Sequence, residues 1–166
     1  MGDAELAIKD YSQAIKLDPN NSDLHLNRGI LQADIGEHKE ALKDLDEAIR
    51  LNPNNQLAYH MRGKVHTEFA MFSFDDQDQA FKDLEKAIKL NPKDPEVYIS
   101  RANLWKLPVF PRGKKKALKD YDKAIKLSPG NAAYYLGRSK LKQAMNDMRG
   151  AKKDLLKAQE LDPSLQ

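Results

Sequence analysis

The chain has 166 residues, a formal net charge of +3, 32% charged residues and no cysteine. That length suffices to bury a core without staples, and the lack of thiols excludes disulfides, zinc–thiolate sites and cysteine nucleophiles. No apolar run approaches the roughly 20 residues that a membrane-spanning helix needs, and the start "MGDAEL" has no signal-peptide shape, which fits an intracellular, cytoplasmic protein.

Residues 1–21 read as a single amphipathic helix, "AIKDYSQAIKLDPN", stopped at Pro19. Residues 22–55 carry two helical patterns, "SDLHLNRGILQADIGEHKEAL" and its continuation, with Gly36 as the break between them and Pro53 as the stop. Residues 56–94 repeat the pair with "FAMFSFDDQDQ" inserted between its helices, and residues 95–131 repeat it with "LPVFPRGKKK" in the same place. Residues 132–166 are a last pair without insertion. The five prolines, Pro19, Pro53, Pro92, Pro129 and Pro163, are spaced by 34, 39, 37 and 34 residues, a period of 34 with two insertions.

Small residues recur where helices must approach closely: Gly29, Ala41 and Ala48, then Gly63, Ala80 and Ala87, then Ala102, Ala117 and Ala124. With Leu45, Tyr59, Leu84, Tyr98, Tyr121, Tyr135 and the prolines, these positions resemble the tetratricopeptide repeat family over nearly the whole chain. The resemblance implies an all-α fold, a right-handed α-solenoid of antiparallel helical hairpins. It also implies that first helices line a concave groove and second helices lie outside. The array opens on a second helix and closes without a polar capping helix, so it is expected to be a segment of a longer repeat protein, or to have its ends covered by a partner or another copy.

Two further recurrences depart from the family pattern. Arg28, Arg62, Arg101 and Arg138 stand at one position of the first helices; Asp10, Asp44, Asp83, Asp120 and Asp154 stand at one position of the second helices. An Arg–Asp ladder between neighbouring helices is expected, since a guanidinium fork matches a carboxylate, with one aspartate left over.

The groove positions implied by the resemblance are Leu26, Asn27 and Ile30; His60, Met61 and Lys64; Ile99, Ser100 and Asn103; Leu136, Gly137 and Lys140. Their mix of apolar, amide and lysine side chains suits an extended or helical segment of a partner protein. Some family members clamp the carboxylate end of chaperones with lysine, asparagine and arginine. Here Leu26, Ile30, Met61, Glu96 and Ser100 occupy those places in one register, and Leu57 and Met61 stand at cation positions in the other, so no such ligand is expected.

The two insertions are expected to form one edge knob, with Phe72 and Phe74 beside Val109 and Phe110, and Asp75, Asp76 and Asp78 facing Arg112, Lys114, Lys115 and Lys116. Alternatively, the insertions are only solvated loops, with Asp75 or Asp76 capping the helix that follows. The acidic run lacks the glycine and terminal glutamate of a calcium loop. His25, His38, His60 and His66 form no metal-ligand motif, and no phosphate loop or catalytic triad is present, so no enzyme activity, metal or cofactor is expected.

The function expected is a non-catalytic scaffold or adaptor. The alternative is a binder of nucleic acid or acidic surfaces: residues 1–94 carry 12 Lys+Arg against 18 Asp+Glu, but residues 95–166 carry 16 against 7, with Lys152 and Lys153 among them.

Overall fold

The structure, a computed structural model, describes residues 2–165. It is all-α, with no strand among the described residues, and divides into two compact units that meet in sequence between Asn91 and Pro92. The first unit holds α1 (Gly2–Leu17), α2 (Ser22–Asp34), α3 (His38–Leu51), α4 (Gln56–Phe69) and α5 (Phe74–Leu90). The second holds α6 (Pro95–Trp105), α7 (Gly113–Leu127), α8 (Ala132–Gln143) and α9 (Met148–Leu161), followed by one 3-10 turn at Pro163–Leu165.

The most extensive packing is within the hairpins α2–α3, α4–α5, α6–α7 and α8–α9. Smaller interfaces join α1 to α2 and α3 to α4 in the first unit, and α7 to α8 in the second. The tight contact is made by small residues: Ala41, Ala48, Ala80, Ala87, Ala102, Ala117, Ala124 and Ala158 have no exposed surface. At Gly29 and Gly63 an added Cβ would lie 3.1 and 3.0 Å from the Leu45 and Leu84 Cγ atoms of the facing helix. In the last hairpin the same register carries Ser139, whose hydroxyl donates to the Ala151 carbonyl at 2.8 Å and so satisfies itself across the interface.

In the first unit Leu26, Leu45, Ala48, Ala58, Met61 and Val65 form one core cluster. In the second, Ala102, Ala117, Tyr121 and Leu141 do so, with Trp105 and Met145 against them. Full burial of a leucine such as Leu45 contributes about 1.5–3 kcal/mol.

Helix ends follow a repeated rule. After each stop, an Asn or Asp begins the next first helix as its N-cap: Asn21, Asn55, Asp94 and Asn131 accept from the backbone N–H of Asp23, Ala58, Glu96 and Ala133 at 3.0–3.2 Å. Each such cap is worth about 1 kcal/mol. An aromatic ring then ties the first helix back to the proline turn: His25 Nε2 lies 3.1 Å from the Pro19 carbonyl, and the Tyr98 hydroxyl donates to the Pro92 carbonyl at 3.1 Å.

The hairpins without insertions turn through one left-handed residue in the same register, Gly36 (φ 85°) and Asn146 (φ 62°). Those with insertions have no positive φ among the described residues. In α4–α5 most of the inserted sequence is helix, because Ser73 caps α5 by accepting from Asp76 N–H at 3.2 Å. The cap is therefore neither Asp75 nor Asp76. In α6–α7 the insertion folds as successive turns over Trp105, with Phe110 edge-to-face at 5.4 Å and Gly113 so close that a Cβ would lie 1.9 Å from the Trp105 carbonyl oxygen.

Candidate partner-binding faces and the frame beneath them

Each recurrent arginine makes a bidentate pair with the recurrent aspartate of its own hairpin. Arg28 Nε and Nη2 donate to Asp44 at 2.6 and 2.7 Å, Arg62 to Asp83 at 2.8 and 2.7 Å, Arg101 to Asp120 at 3.0 and 2.7 Å, and Arg138 to Asp154 at 2.8 and 2.7 Å. The aspartates are buried, so each carboxylate depends on its guanidinium. Asp10 is exposed and meets no arginine among the described residues.

Arg28, Arg62 and Arg138 reach further, and sequence reasoning missed it. Arg28 Nη1 donates to Ser12 Oγ of α1 at 3.0 Å, Arg62 Nη1 to Asp46 of α3 at 2.6 Å, and Arg138 Nη1 to Asp122 of α7 at 2.6 Å. Each acceptor stands two residues after a recurrent aspartate, in Asp10-Tyr11-Ser12, Asp44-Leu45-Asp46 and Asp120-Tyr121-Asp122, a signal legible in the sequence. Burial pushes the Arg62 guanidinium down, but Asp83 and Asp46 outweigh it and hold the group above its ordinary range. Burial likewise pushes the Asp154 carboxyl up, and Arg138 and Lys142, the latter 2.8 Å away, pull it below the ordinary carboxylate value.

The histidines are also structural. His25 Nδ1 lies 3.2 Å from Asp44, His66 Nδ1 2.6 Å from Asp76, and His38 Nε2 3.3 Å from Glu68. Among the described residues no group of three or more histidine, aspartate or glutamate side chains could hold a metal ion.

The groove positions divide. Leu26, His60 and Met61 are buried, and Leu26 and Met61 belong to the core cluster, so these three are packing residues and not groove contacts. The reason is their place on the helix, on the side that meets the neighbouring hairpin. Lys64, Asn103 and Lys140 are exposed; Asn27, Ile30, Ile99, Ser100, Leu136 and Gly137 are half-buried. Among the described residues Asn27, Lys64, Asn103 and Lys140 make no side-chain hydrogen bond or ion pair.

The knob residues divide too. Phe72 and Phe74 are 85% and 86% exposed, so they are not buried in a compact apolar knob; Phe72 lies in the turn before Ser73 and Phe74 is the first residue of α5. Asp76 is turned to His66 and Asp78 to Lys82 at 2.5 Å. In the second unit Phe110 is half-buried against Trp105, Val109 is exposed, and Lys116 lies over the Trp105 ring at 3.9 Å. Arg112, Lys114, Lys115 and Lys116 are exposed, and α7 begins with neither a side-chain cap nor an acidic residue in its first turn.

A second basic surface is the outer side of α9, where Arg149, Lys152, Lys153 and Lys157 surround exposed Leu156 in a depression of about 450 Å³. No aromatic side chain lines it.

With paired helices, recurrent small residues and a repeated N-cap in view, the class is that of helical-hairpin repeat proteins. Residues 1–36 match a TPR repeat, and residues 22–55, 72–94 and 132–165 match the tetratricopeptide repeat. The chain belongs to the tetratricopeptide repeat family, and on that fold it is a protein-interaction scaffold. A search of curated proteins finds none that matches. Solved structures that resemble it include MamA, at 26% identity and TM-score 0.80 over 98% of this chain and 91% of that one. A thermophilic TPR protein of Thermus thermophilus, TTC0263, shares the fold at 18% identity and TM-score 0.81 over 98% and 84%. So does Pseudomonas aeruginosa pilF, at 24% identity and TM-score 0.72 over 93% and 67%.

Proposed function

We propose that the chain is a non-catalytic scaffold that holds segments of partner proteins against the first-helix faces of its hairpins. The observation that carries this is a division of labour among polar side chains. The four recurrent arginines and the aspartates paired with them are consumed in the frame, whereas Asn27 and Lys64 in the first unit, and Asn103 and Lys140 in the second, have no side-chain partner among the described residues. Half-buried Ile30, Ile99 and Leu136 lie on the same helices, giving apolar anchors beside amide and ammonium donors. Among the described residues no helix is long and apolar enough to cross a membrane.

The test is site-specific photo-crosslinking in nuclease-treated lysate. A benzophenone amino acid at Asn27, Lys64 or Asn103 samples the first-helix faces; the same group at Lys43, Lys82 or Lys119 samples the second helices. Protein adducts concentrated at the first set support the reading. Adducts from the second set alone would overturn it, and a signal abolished by nuclease would transfer the function to nucleic acid and the basic outer side of α9.

A further inference from the structure

The second unit contains a pocket of lysine ammonium groups with no carboxylate to match, and we infer that it binds consecutive carboxylates in an acidic segment of a partner protein. The inference rests on the scaffold reading and names the chemistry of the segment held. The pocket, about 190 Å³, lies between the end of α6, the start of α7 and the later half of α8, and is lined by Lys106, Lys114, Lys140, Gly137, Leu141 and Ala144. Its existence depends on Gly137: a Cβ there would stand 2.6 Å from the Tyr121 ring and 2.8 Å from its hydroxyl.

Every polar side chain at this place can donate, and none is a carboxylate. Lys106 Nζ donates to the Tyr121 hydroxyl at 3.2 Å and lies 5.6 Å from the ring centroid, which leaves the hydroxyl proton to be given onward. Lys114 Nζ spends one of its three protons on the Ala144 carbonyl at 2.9 Å. None of Lys106, Lys114 and Lys140 has a carboxylate within ion-pair distance among the described residues. Lys114 also lies in the first turn of α7, whose N-terminal partial positive charge opposes it.

The counter-charge is not in reserve elsewhere in the unit, because its carboxylates are engaged. Asp120 and Asp154 hold Arg101 and Arg138, and Asp122 takes the third arm of Arg138. Asp147 caps α9, Asp162 accepts from Ser164, Glu160 pairs with Lys157, Glu96 accepts from the Tyr134 hydroxyl, and Asp94 caps α6. A cluster of ammonium groups and a phenolic donor, walled by Leu141 and Ala144, is complementary to carboxylates carried on a chain with apolar neighbours.

The probe is fluorescein-labelled octaglutamate, followed by anisotropy at 150 mM salt with the full chain. Lys114→Glu with Lys140→Glu should weaken binding at least tenfold, and Tyr121→Phe, which keeps the ring and removes the donor, several-fold. Lys152→Glu with Lys153→Glu makes the same charge change on the outer side of α9 and should alter binding less than twofold. Thermal melts of each variant keep unfolding separate from loss of binding. Equal weakening by both double variants, or no binding by the folded native chain, would overturn the pocket. So would inorganic phosphate at millimolar concentration, or an oligothymidylate of matched charge, competing as well as unlabelled octaglutamate. If octaglutamate fails while first-helix crosslinks persist, the pocket falls and the scaffold reading stands; if both fail, both fall.

Discussion

Replacing Arg62 with alanine removes more than a surface charge. The guanidinium is 16% exposed and joins three helices: Nε and Nη2 hold Asp83 of α5, and Nη1 holds Asp46 of α3. Asp46 is exposed and loses little, as isolated surface pairs contribute about 0–1 kcal/mol. Asp83 is 2% exposed, and without Arg62 it keeps the Gln79 side-chain amide as a donor at 3.0 Å but no cation. An uncompensated buried carboxylate costs about 3–5 kcal/mol. For a unit of this size each kcal/mol corresponds to a fall of about 4–8 °C in Tm, so the variant should melt roughly 12–40 °C lower. The assay is thermal and urea unfolding followed by circular dichroism. The companion variant, Arg62→Met with Asp83→Leu, replaces the pair by apolar groups and should recover most of the loss. A loss under about 1 kcal/mol for the single variant, or no recovery in the double, would refute the claim that these pairs hold the hairpins together.

Asp154 gives a pH-dependent prediction. Its folded pKa lies below the unfolded value of about 3.9, so its contribution is complete at neutral pH and is lost as pH falls through the folded pKa; Asp154→Asn should flatten the Tm profile of that acid limb relative to the native chain. Gly137→Ala should destabilise by about 1–3 kcal/mol through collision with the Tyr121 ring, despite a helix-propensity gain of about 1 kcal/mol, and near-ultraviolet circular dichroism should register the displaced tyrosine. Asn146 stands in the left-handed slot that Gly36 fills in the α2–α3 hairpin, so Asn146→Gly should leave Tm unchanged or raise it slightly and Asn146→Val should destabilise by about 1–2 kcal/mol in the same melts.

The hairpins were legible because their signals are local: a small residue every few positions, a proline stop and a period of 34. The arginine and aspartate columns were legible for the same reason, since recurrence exposes a position that one hairpin alone would hide. The third arm of Arg62 and Arg138 is set by packing between successive hairpins, and its trace, an acid two residues after Asp44 and Asp120, becomes meaningful only once those helices are neighbours. Leu26, His60 and Met61 were misread because adjacent positions on a first helix turn by about 100°, enough to exchange groove for core. The exposure of Phe72 and Phe74 is hidden by their apolar character, while the cap at Ser73 that starts α5 between them is a single hydroxyl. The lysine pocket is not legible in the sequence because Lys106 follows α6, Lys114 opens α7 and Lys140 lies in α8, and only the burial of Tyr121 behind Gly137 brings their role together.

The reach of the arginines from one hairpin to the one before bears on how each unit comes apart. Were every carboxylate and guanidinium matched inside its own hairpin, a hairpin could open and close with little effect on its neighbour. Here the fraying of α1 would strip Ser12 from Arg28, and the opening of α3 would strip Asp46 from Arg62, leaving a half-satisfied cation at an interface that is losing its apolar cover at the same moment. Penalties that coincide in this way raise the nearest-neighbour term of a repeat array relative to the intrinsic stability of each repeat. The first unit should therefore lose its amide-exchange protection in a single step from α2 to α5, and the hairpins of the second should exchange together through Arg138 and Asp122.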